Sequence, residues 1–233
     1  MLKGFIYLVF FTPLTLSFSL AAVIGSIFDR TGGFAHRCAL AWSWCGLRLA
    51  GVELRVSGTE HVPAEGPVIF MGNHQGNFDI HALTRTIPRR FSWLAKEELF
   101  RIPLFGAAML RAGYIPIDRG DGRKALKSLN AAAQRIRSGA SVVVFPEGTR
   151  TLDGTLLPFK RGGFILAERA GVPIIPFTIN GSREINPPKT LTLNRGVIAV
   201  RFGAPIATAS TGALAGEGLM EKVRTAIEAE LGR

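Results

Sequence analysis

The sequence has few cysteines and no internal repeat, and both absences limit what the chain can be. Only Cys38 and Cys45 are present. On one helix their Cα atoms would stand about 10.5 Å apart, which is too far for a disulfide. We therefore expect two reduced thiols. The sequence has no CxxC pair and no His/Cys cluster, which argues against a zinc site, and we predict neither a metal nor a cofactor.

Acidic residues are also scarce. The chain of 233 residues has 17 Asp and Glu against 28 Lys and Arg, giving a formal net charge of +11. Such a balance favours an anionic partner, which could be nucleic acid, an acidic membrane surface or a phosphorylated substrate. No recognisable nucleic-acid motif and no basic segment interleaved with stacking aromatics occurs. We therefore predict no nucleic-acid partner.

The amino-terminal segment lacks charge altogether. No charged residue lies within residues 5–28, and a helix of that length measures about 36 Å, more than the roughly 30 Å hydrocarbon core of a bilayer. A secretory signal is the alternative, since Lys3 precedes the apolar run, but no clear A-x-A site follows. Residues 38–52 form a second apolar helix, too short to span and interrupted by Arg48. Together with Pro13, this favours two helices dipping into one leaflet over a single span.

The rest of the chain alternates apolar runs with helical patterns, which is typical of α/β proteins. We predict a membrane module at residues 1–51 and an α/β domain at residues 52–233, with a mixed, largely parallel sheet flanked by helices. Pro173 and Pro176 indicate that one strand lies at an edge or carries a bulge. The predicted strands are residues 52–57, 68–71, 91–95, 114–117, 141–145, 172–179 and 197–202. The predicted helices lie near residues 78–86, 103–111, 123–137, 162–170 and 216–231.

A polar loop follows the second predicted strand and contains His74 and Asp79. At the carboxyl end of a strand in an open α/β sheet, such a loop lies where ligands bind. If a helix begins near Phe78, Asp79 in its first turn can reach back to the imidazole. A carboxylate at one ring nitrogen leaves the other free to take a proton, as a general base does. The alternative is that both residues merely cap a loop and a helix.

A second polar loop, Phe145-Pro-Glu-Gly-Thr-Arg150, follows another apolar strand and should lie on the same rim. Gly148 would let the backbone approach an anion closely, and Arg150 has a planar fork suited to phosphate. Other cations at strand or loop ends could join them, although each alone could equally be an ordinary surface charge. These are Lys96, Arg119, Lys160 and Arg161.

Four motifs in this order resemble the glycerolipid acyltransferase family, and within it the bacterial lysophosphatidic acid acyltransferases. They lie at residues 73–79, 113–119, 145–150 and 172–176, and the similarity covers roughly residues 52–205. The resemblance implies that His74 and Asp79 are catalytic. It also implies that Glu147, Gly148, Arg150 and Arg119 bind the acceptor, and we predict Thr149 and Lys96 as further substrate-binding residues.

The resemblance further implies acyl transfer from acyl-CoA or acyl-carrier protein to the free hydroxyl of lysophosphatidic acid, giving phosphatidic acid for phospholipid biosynthesis. The partners would be this acceptor, the acyl donor and membrane lipids, at the cytoplasmic face of the inner membrane. No G-x-S-x-G elbow occurs, which argues against a covalent acyl-enzyme. We expect backbone amides near Gly76 or Gly148 to hold the oxyanion.

Other interpretations stay open at this stage. The acceptor could be glycerol 3-phosphate or another lyso-lipid. The same His/Asp pair could serve a lipid or thioester hydrolase, with water as the acceptor. A basic membrane-binding module without activity would explain the charge and the apolar helices, but not two polar loops at strand ends.

Overall fold

The computed structural model of the chain describes residues 2–118, 122–208 and 215–232. Within these residues seven strands form one sheet, with bounds Val52–Ser57 (β1), Ile69–Gly72 (β2), Ser92–Lys96 (β3), Ile115–Ile117 (β4), Val142–Val144 (β5), Ile174–Asn180 (β6) and Gly196–Phe202 (β7). The helices are Leu2–Gly25 (α1), Gly33–Ala50 (α2), Phe78–Thr86 (α3), Glu97–Phe100 (α4), Phe105–Arg111 (α5), Gly122–Arg137 (α6), Gly162–Ala170 (α7), Ser182–Ile185 (α8) and Ala215–Glu228 (α9).

The sheet is mixed and largely parallel, as predicted. Its strand order is β1-β7-β6-β2-β5-β3-β4, and of the described strand pairs only β6–β7 is antiparallel. Each strand lies within two residues of its predicted position. The division into residues 1–51 and 52–233 stays a prediction.

Of the two possibilities that its prolines predict, an edge or a bulge, strand β6 has the bulge. It is an interior strand, paired with β2 on one side and β7 on the other. Pro176 is tolerated because β6 pairs irregularly with the chain on its β7 side. Between the Ile174–Ile206 bridge and the Phe177–Phe202 pair, the segment opposite β6 has one residue more than β6. The Pro176 carbonyl still accepts the Gly203 N–H at 2.8 Å. The missing donor therefore falls where a bulge has already interrupted the pairing.

Successive strand residues point into two different cores, as the two-residue period of a strand requires. Phe70, Val143 and Ile175 face a core shared with α1, α2, α3 and α5. Ile69, Met71 and their neighbours on β5 face a second core, shared with α6, α7 and α9. Helices thus cover both sides of the sheet, and the buried central strands are apolar on both faces.

Helix α3 lies beneath α1 and α2, which explains why it is buried almost all round. Tyr7 of α1 packs on Phe78 with ring centroids 5.7 Å apart, and Phe11 meets His81 edge-on at 5.3 Å. The amino-terminal helices are therefore part of the core that supports the site.

Candidate active site

Two polar loops meet at the carboxyl edge of the sheet because β2 and β5 are parallel neighbours. The loop after β2 contains His74, and the loop after β5 contains Glu147 and Thr151. The His74 N–H donates to Glu147 Oε1 at 2.7 Å, and the His74 carbonyl accepts the Thr151 N–H at 2.9 Å. The two motifs found in the sequence are thus joined on both sides of His74.

Asp79 holds the imidazole from the first turn of α3. Its Oδ2 accepts the His74 Nδ1–H at 2.6 Å and the backbone N–H groups of Gln75 and Gly76 at 2.6 and 2.9 Å. The carboxylate is fully buried, whereas the His74 side chain keeps 16% of its surface exposed. Because a carboxylate accepts at Nδ1, the proton lies there and Nε2 has a free lone pair. This geometry suits a general base.

Aromatic rings fix the plane of the imidazole. Phe145 stacks on His74 with centroids 3.9 Å apart and planes 8° apart. Trp93 lies behind Phe145 at 5.7 Å, and Phe177 meets it edge-on at 6.0 Å. The ring therefore has little freedom to rotate away from Asp79.

Glu147 has a different place from the substrate contact that we expected of it. It is 2% exposed and does not line the cavity described below. Its Oε1 accepts the His74 N–H, and its Oε2 accepts the Leu157 N–H at 2.9 Å. Burial raises the pKa of the Glu147 carboxyl to about 7, although these two hydrogen bonds oppose the shift. Glu147 thus braces the His74 loop from behind.

Three of the other predicted binding residues belong to the loop after β5. Gly148, Thr149 and Arg150 line the same cavity as His74. The Arg150 guanidinium donates to Asn77 Oδ1, and Asn77 Nδ2 donates to Asn186 Oδ1 at 2.9 Å. Neither asparagine was identified from the sequence, where both look like ordinary loop residues. The rim therefore presents one orientated guanidinium beside the imidazole.

The other cationic residues predicted for the site do not share one position. Lys96 lines the cavity and forms an exposed ion pair with Glu98 at 3.0 Å. Lys160 packs over Gly148, which has a φ of +71° and would clash with this side chain if it carried a Cβ. Arg119 lies outside the described residues. In the part of the chain that the structure describes, no three His, Cys, Asp or Glu side chains are grouped as metal ligands.

The amides expected to hold an oxyanion are already engaged. The Gly76 N–H donates to Asp79, and the Gly148 N–H donates to the Phe145 carbonyl at 3.0 Å. These two amide hydrogens are therefore already used, and an oxyanion site formed by other amides near Gly76 or Gly148 stays a prediction.

An apolar cavity of about 570 Å³ extends from His74 between the amino-terminal helices and α3, α5 and the sheet. Small side chains, among them Ala22, Ala35 and Ala112, form part of its lining. This volume lies within the usual range for sites that bury a small-molecule ligand. Sequence reasoning missed the cavity because its walls come from helices distant in the chain.

Comparisons with known proteins agree with this geometry. A family model described as Acyltransferase matches residues 53–180. A chloroplastic 1-acyl-sn-glycerol-3-phosphate acyltransferase of Brassica napus is 34% identical over 183 residues, covering 77% of this chain and 53% of the relative. The enzyme of that name from Saccharomyces cerevisiae is 36% identical over 163 residues, covering 69% and 54%. The chain therefore spans about half the length of these curated relatives.

A solved structure shares the fold. The crystal structure of a 1-acyl-sn-glycerophosphate acyltransferase from Thermotoga maritima superposes with a TM-score of 0.82, covering 100% of this chain and 96% of the other. The two sequences are 23% identical, so this likeness concerns the fold.

Proposed function

The chain belongs to the acyltransferase family, and we propose that it moves a fatty acyl group from an acyl thioester to the free hydroxyl of lysophosphatidic acid. The observation that carries the proposal is the His74–Asp79 pair at the mouth of an apolar cavity, with Arg150 on the same rim. The names of the relatives supply the acceptor. The donor would be acyl-CoA or acyl-carrier protein, and the product would be phosphatidic acid.

In this reaction His74 Nε2 accepts the proton of the acceptor hydroxyl while Asp79 stabilises the imidazolium that forms. The alkoxide oxygen attacks the thioester carbonyl carbon, and the carbon–sulfur bond of the resulting tetrahedral adduct breaks. The proton then passes from Nε2 to the departing thiolate. A positioned base of this kind accelerates a reaction by about 10²–10⁴.

Substrate binding is divided between the two parts of the site. Arg150 has a planar fork that can hold the acceptor's phosphate in a bidentate manner, and Asn77 fixes its orientation. The apolar cavity accommodates an acyl chain, which loses contact with water there. Lys96 and Gly148 also line the cavity, and we assign the polar end of the substrate to them.

We also infer that the protein works on one leaflet of a membrane. Helix α1 is long and apolar enough to cross a bilayer, yet it packs lengthwise on the protein, from Gly4 against Leu191 to Thr15 against Trp42. A helix held in this way can lie in the interface with its outer face in the lipid, without crossing. That outer face is apolar and exposed at Leu2, Phe5, Ile6, Val9, Phe10, Leu16, Leu20 and Ile24. Because acyl thioesters are made in the cytosol, the cytoplasmic leaflet is the one proposed.

Product analysis tests the proposed reaction. Purified protein would receive a radiolabelled acyl thioester together with lysophosphatidic acid, glycerol 3-phosphate or other lyso-lipids. Labelled phosphatidic acid that requires lysophosphatidic acid is the expected product. Release of labelled free fatty acid at the same rate with and without any acceptor would establish a hydrolase instead.

A further inference from the structure

The guanidinium on the rim is held by two side-chain amides in series. Arg150 donates to Asn77 Oδ1, and Asn77 Nδ2 donates to Asn186 Oδ1 at 2.9 Å. Asn186 Nδ2 in turn donates to the backbone carbonyls of Thr192 at 2.7 Å and Thr190 at 3.3 Å. Hydrogen bonds therefore run from the rim to the loop between α8 and β7, which none of the four sequence motifs includes.

The two ends of this series of hydrogen bonds fix how each amide is oriented. A guanidinium has only donors, so the group of Asn77 that faces Arg150 must be its oxygen. A backbone carbonyl only accepts, so the group of Asn186 that faces the loop must be its NH₂. The oxygen of Asn186 is then left for the NH₂ of Asn77. Each of the two positions therefore needs a side chain with both a donor and an acceptor, as an amide has.

The loop between α8 and β7 is tied to its surroundings away from the rim. Asn194 Nδ2 donates to the Glu184 carbonyl at 2.8 Å. Helix α1 packs against the same loop, because the Gly4 backbone lies so near the Leu191 carbonyl that a Cβ there would overlap with it. The position of Asn186 is thus set by contacts that do not involve the site.

Both side chains in this series are uncharged, and the guanidinium stays accessible. Arg150 keeps part of its surface exposed and lines the cavity beside His74. Among the described residues, no carboxylate forms an ion pair with Arg150. A carboxylate in place of Asn77 would also hold the guanidinium, but its charge would compete with a phosphate. The two amides hold the guanidinium and leave its positive charge for an anion.

We propose that Asn186 is a positioning residue for the phosphate of the acceptor. Through Asn77 it keeps the Arg150 guanidinium in one orientation before the acceptor arrives, without neutralising its charge. An arginine otherwise loses side-chain freedom when it binds a ligand, so a guanidinium that is already held binds phosphate more tightly. This inference rests on the proposed function, which places the phosphate at Arg150.

The test compares two asparagine variants of the same loop in the full-length protein. Asn186→Ala removes the link to Asn77, so the Michaelis constant for lysophosphatidic acid should rise about two- to tenfold, while kcat and the Michaelis constant for the acyl donor stay close to wild-type values. Asn194→Ala is the matched control, because it also removes a side-chain bond to a backbone carbonyl but lies outside the series that reaches Arg150. The control should leave all three constants unchanged. Equal rises in both variants would show that Asn186 only stabilises the loop, and would overturn the proposal.

Two further substitutions separate orientation from charge. Asn77→Asp keeps an oxygen against the guanidinium but adds a negative charge, so the Michaelis constant for lysophosphatidic acid should rise further, by about ten- to a hundredfold. Asn186→Gln keeps a donor and an acceptor and should retain part of the wild-type affinity. A Michaelis constant for Asn77→Asp at or below that of the wild type would contradict the role given to the uncharged amides.

A binding measurement gives a readout that does not depend on turnover. The Nε–Hε NMR signal of Arg150 should shift when glycerol 3-phosphate is added, with half-saturation at a concentration about two- to tenfold higher in Asn186→Ala. No shift in the unmodified protein, or equal titrations of the two proteins, would overturn the inference. Failure of every acceptor to become acylated would count against the proposed function instead, and the titration would still decide the role of Asn186.

Discussion

Replacing Asp79 with Asn removes one charge while nearly preserving shape, and it tests how the carboxylate supports His74. All three N–H donors around this side chain point at Oδ2, whereas Oδ1 is buried without a partner. In the Asp79→Asn variant the new amide should therefore place its oxygen at the Oδ2 position, since the opposite orientation would set its NH₂ group against three N–H groups. The proton of His74 then stays on Nδ1, and only the negative charge is lost.

The expected loss of turnover in Asp79→Asn follows from that geometry. In the serine-protease example, replacing the orienting Asp by Asn costs about 10⁴ in turnover because the wrong tautomer forms. Here the backbone amides of Gln75 and Gly76 preserve the tautomer, so the loss comes from a less stable imidazolium. A hydrogen bond to a charged group contributes about 1.5–3 kcal/mol, which predicts a fall in turnover of roughly 10- to 10²-fold. The buried NH₂ group should also cost about 1–3 kcal/mol of stability.

Turnover would be measured with a labelled acyl thioester and lysophosphatidic acid, with thermal unfolding as a check on folding. Asp153→Asn is a matched control, because Asp153 also accepts a backbone amide, from Thr155 at 2.9 Å, but on an exposed loop. The control should keep its turnover. Wild-type turnover in Asp79→Asn, or an equal loss in both variants, would refute the reasoning.

Three further predictions concern binding, membranes and pH. Arg150→Lys keeps the charge but loses the fork, so the Michaelis constant for the phosphorylated acceptor should rise more than that for the acyl donor, and equal rises would contradict the assignment. The double variant Leu16→Glu with Leu20→Glu should no longer sediment with membranes after a high-salt wash. The control variant Leu126→Glu, on α6 at the other side of the sheet, should still sediment with them. If the double variant stays bound, the exposed face of α1 is not the membrane contact. Because burial raises the pKa of Glu147 from 4.5 to about 7, its contribution to stability is complete below about pH 4.5 and is lost as pH rises through 7. The melting temperature of the wild type should therefore fall relative to that of Glu147→Gln between about pH 5 and 8, and parallel curves would exclude this ionisation.

The sequence predicts most of what depends on local pattern. The strand before His74, the start of α3 and the reach of Asp79 all follow from an apolar run, a glycine-containing break and helix geometry. These features are determined within a few residues of chain. The fold class follows in the same way, from the alternation of apolar runs and helical spacing.

What the sequence does not predict depends on distant segments. The prolines of β6 predict an edge or a bulge, and the distant 203–206 segment decides that it is a bulge. Glu147 looks like a surface ligand until the His74 and Leu157 amides are seen to turn it inward. His81 becomes part of a cavity only because α1 and α2 fold over α3. Each of these is a tertiary contact between residues far apart in the chain.

The turnover of His74→Ala tests the central claim most directly. The claim is that Nε2 of this imidazole removes the proton of the acceptor hydroxyl, and the ring lies on the rim rather than in the core. We predict that the formation of labelled phosphatidic acid falls by about 10²–10⁴ while the melting temperature stays close to that of the wild type. Full turnover in a normally folded His74→Ala protein would contradict the claim.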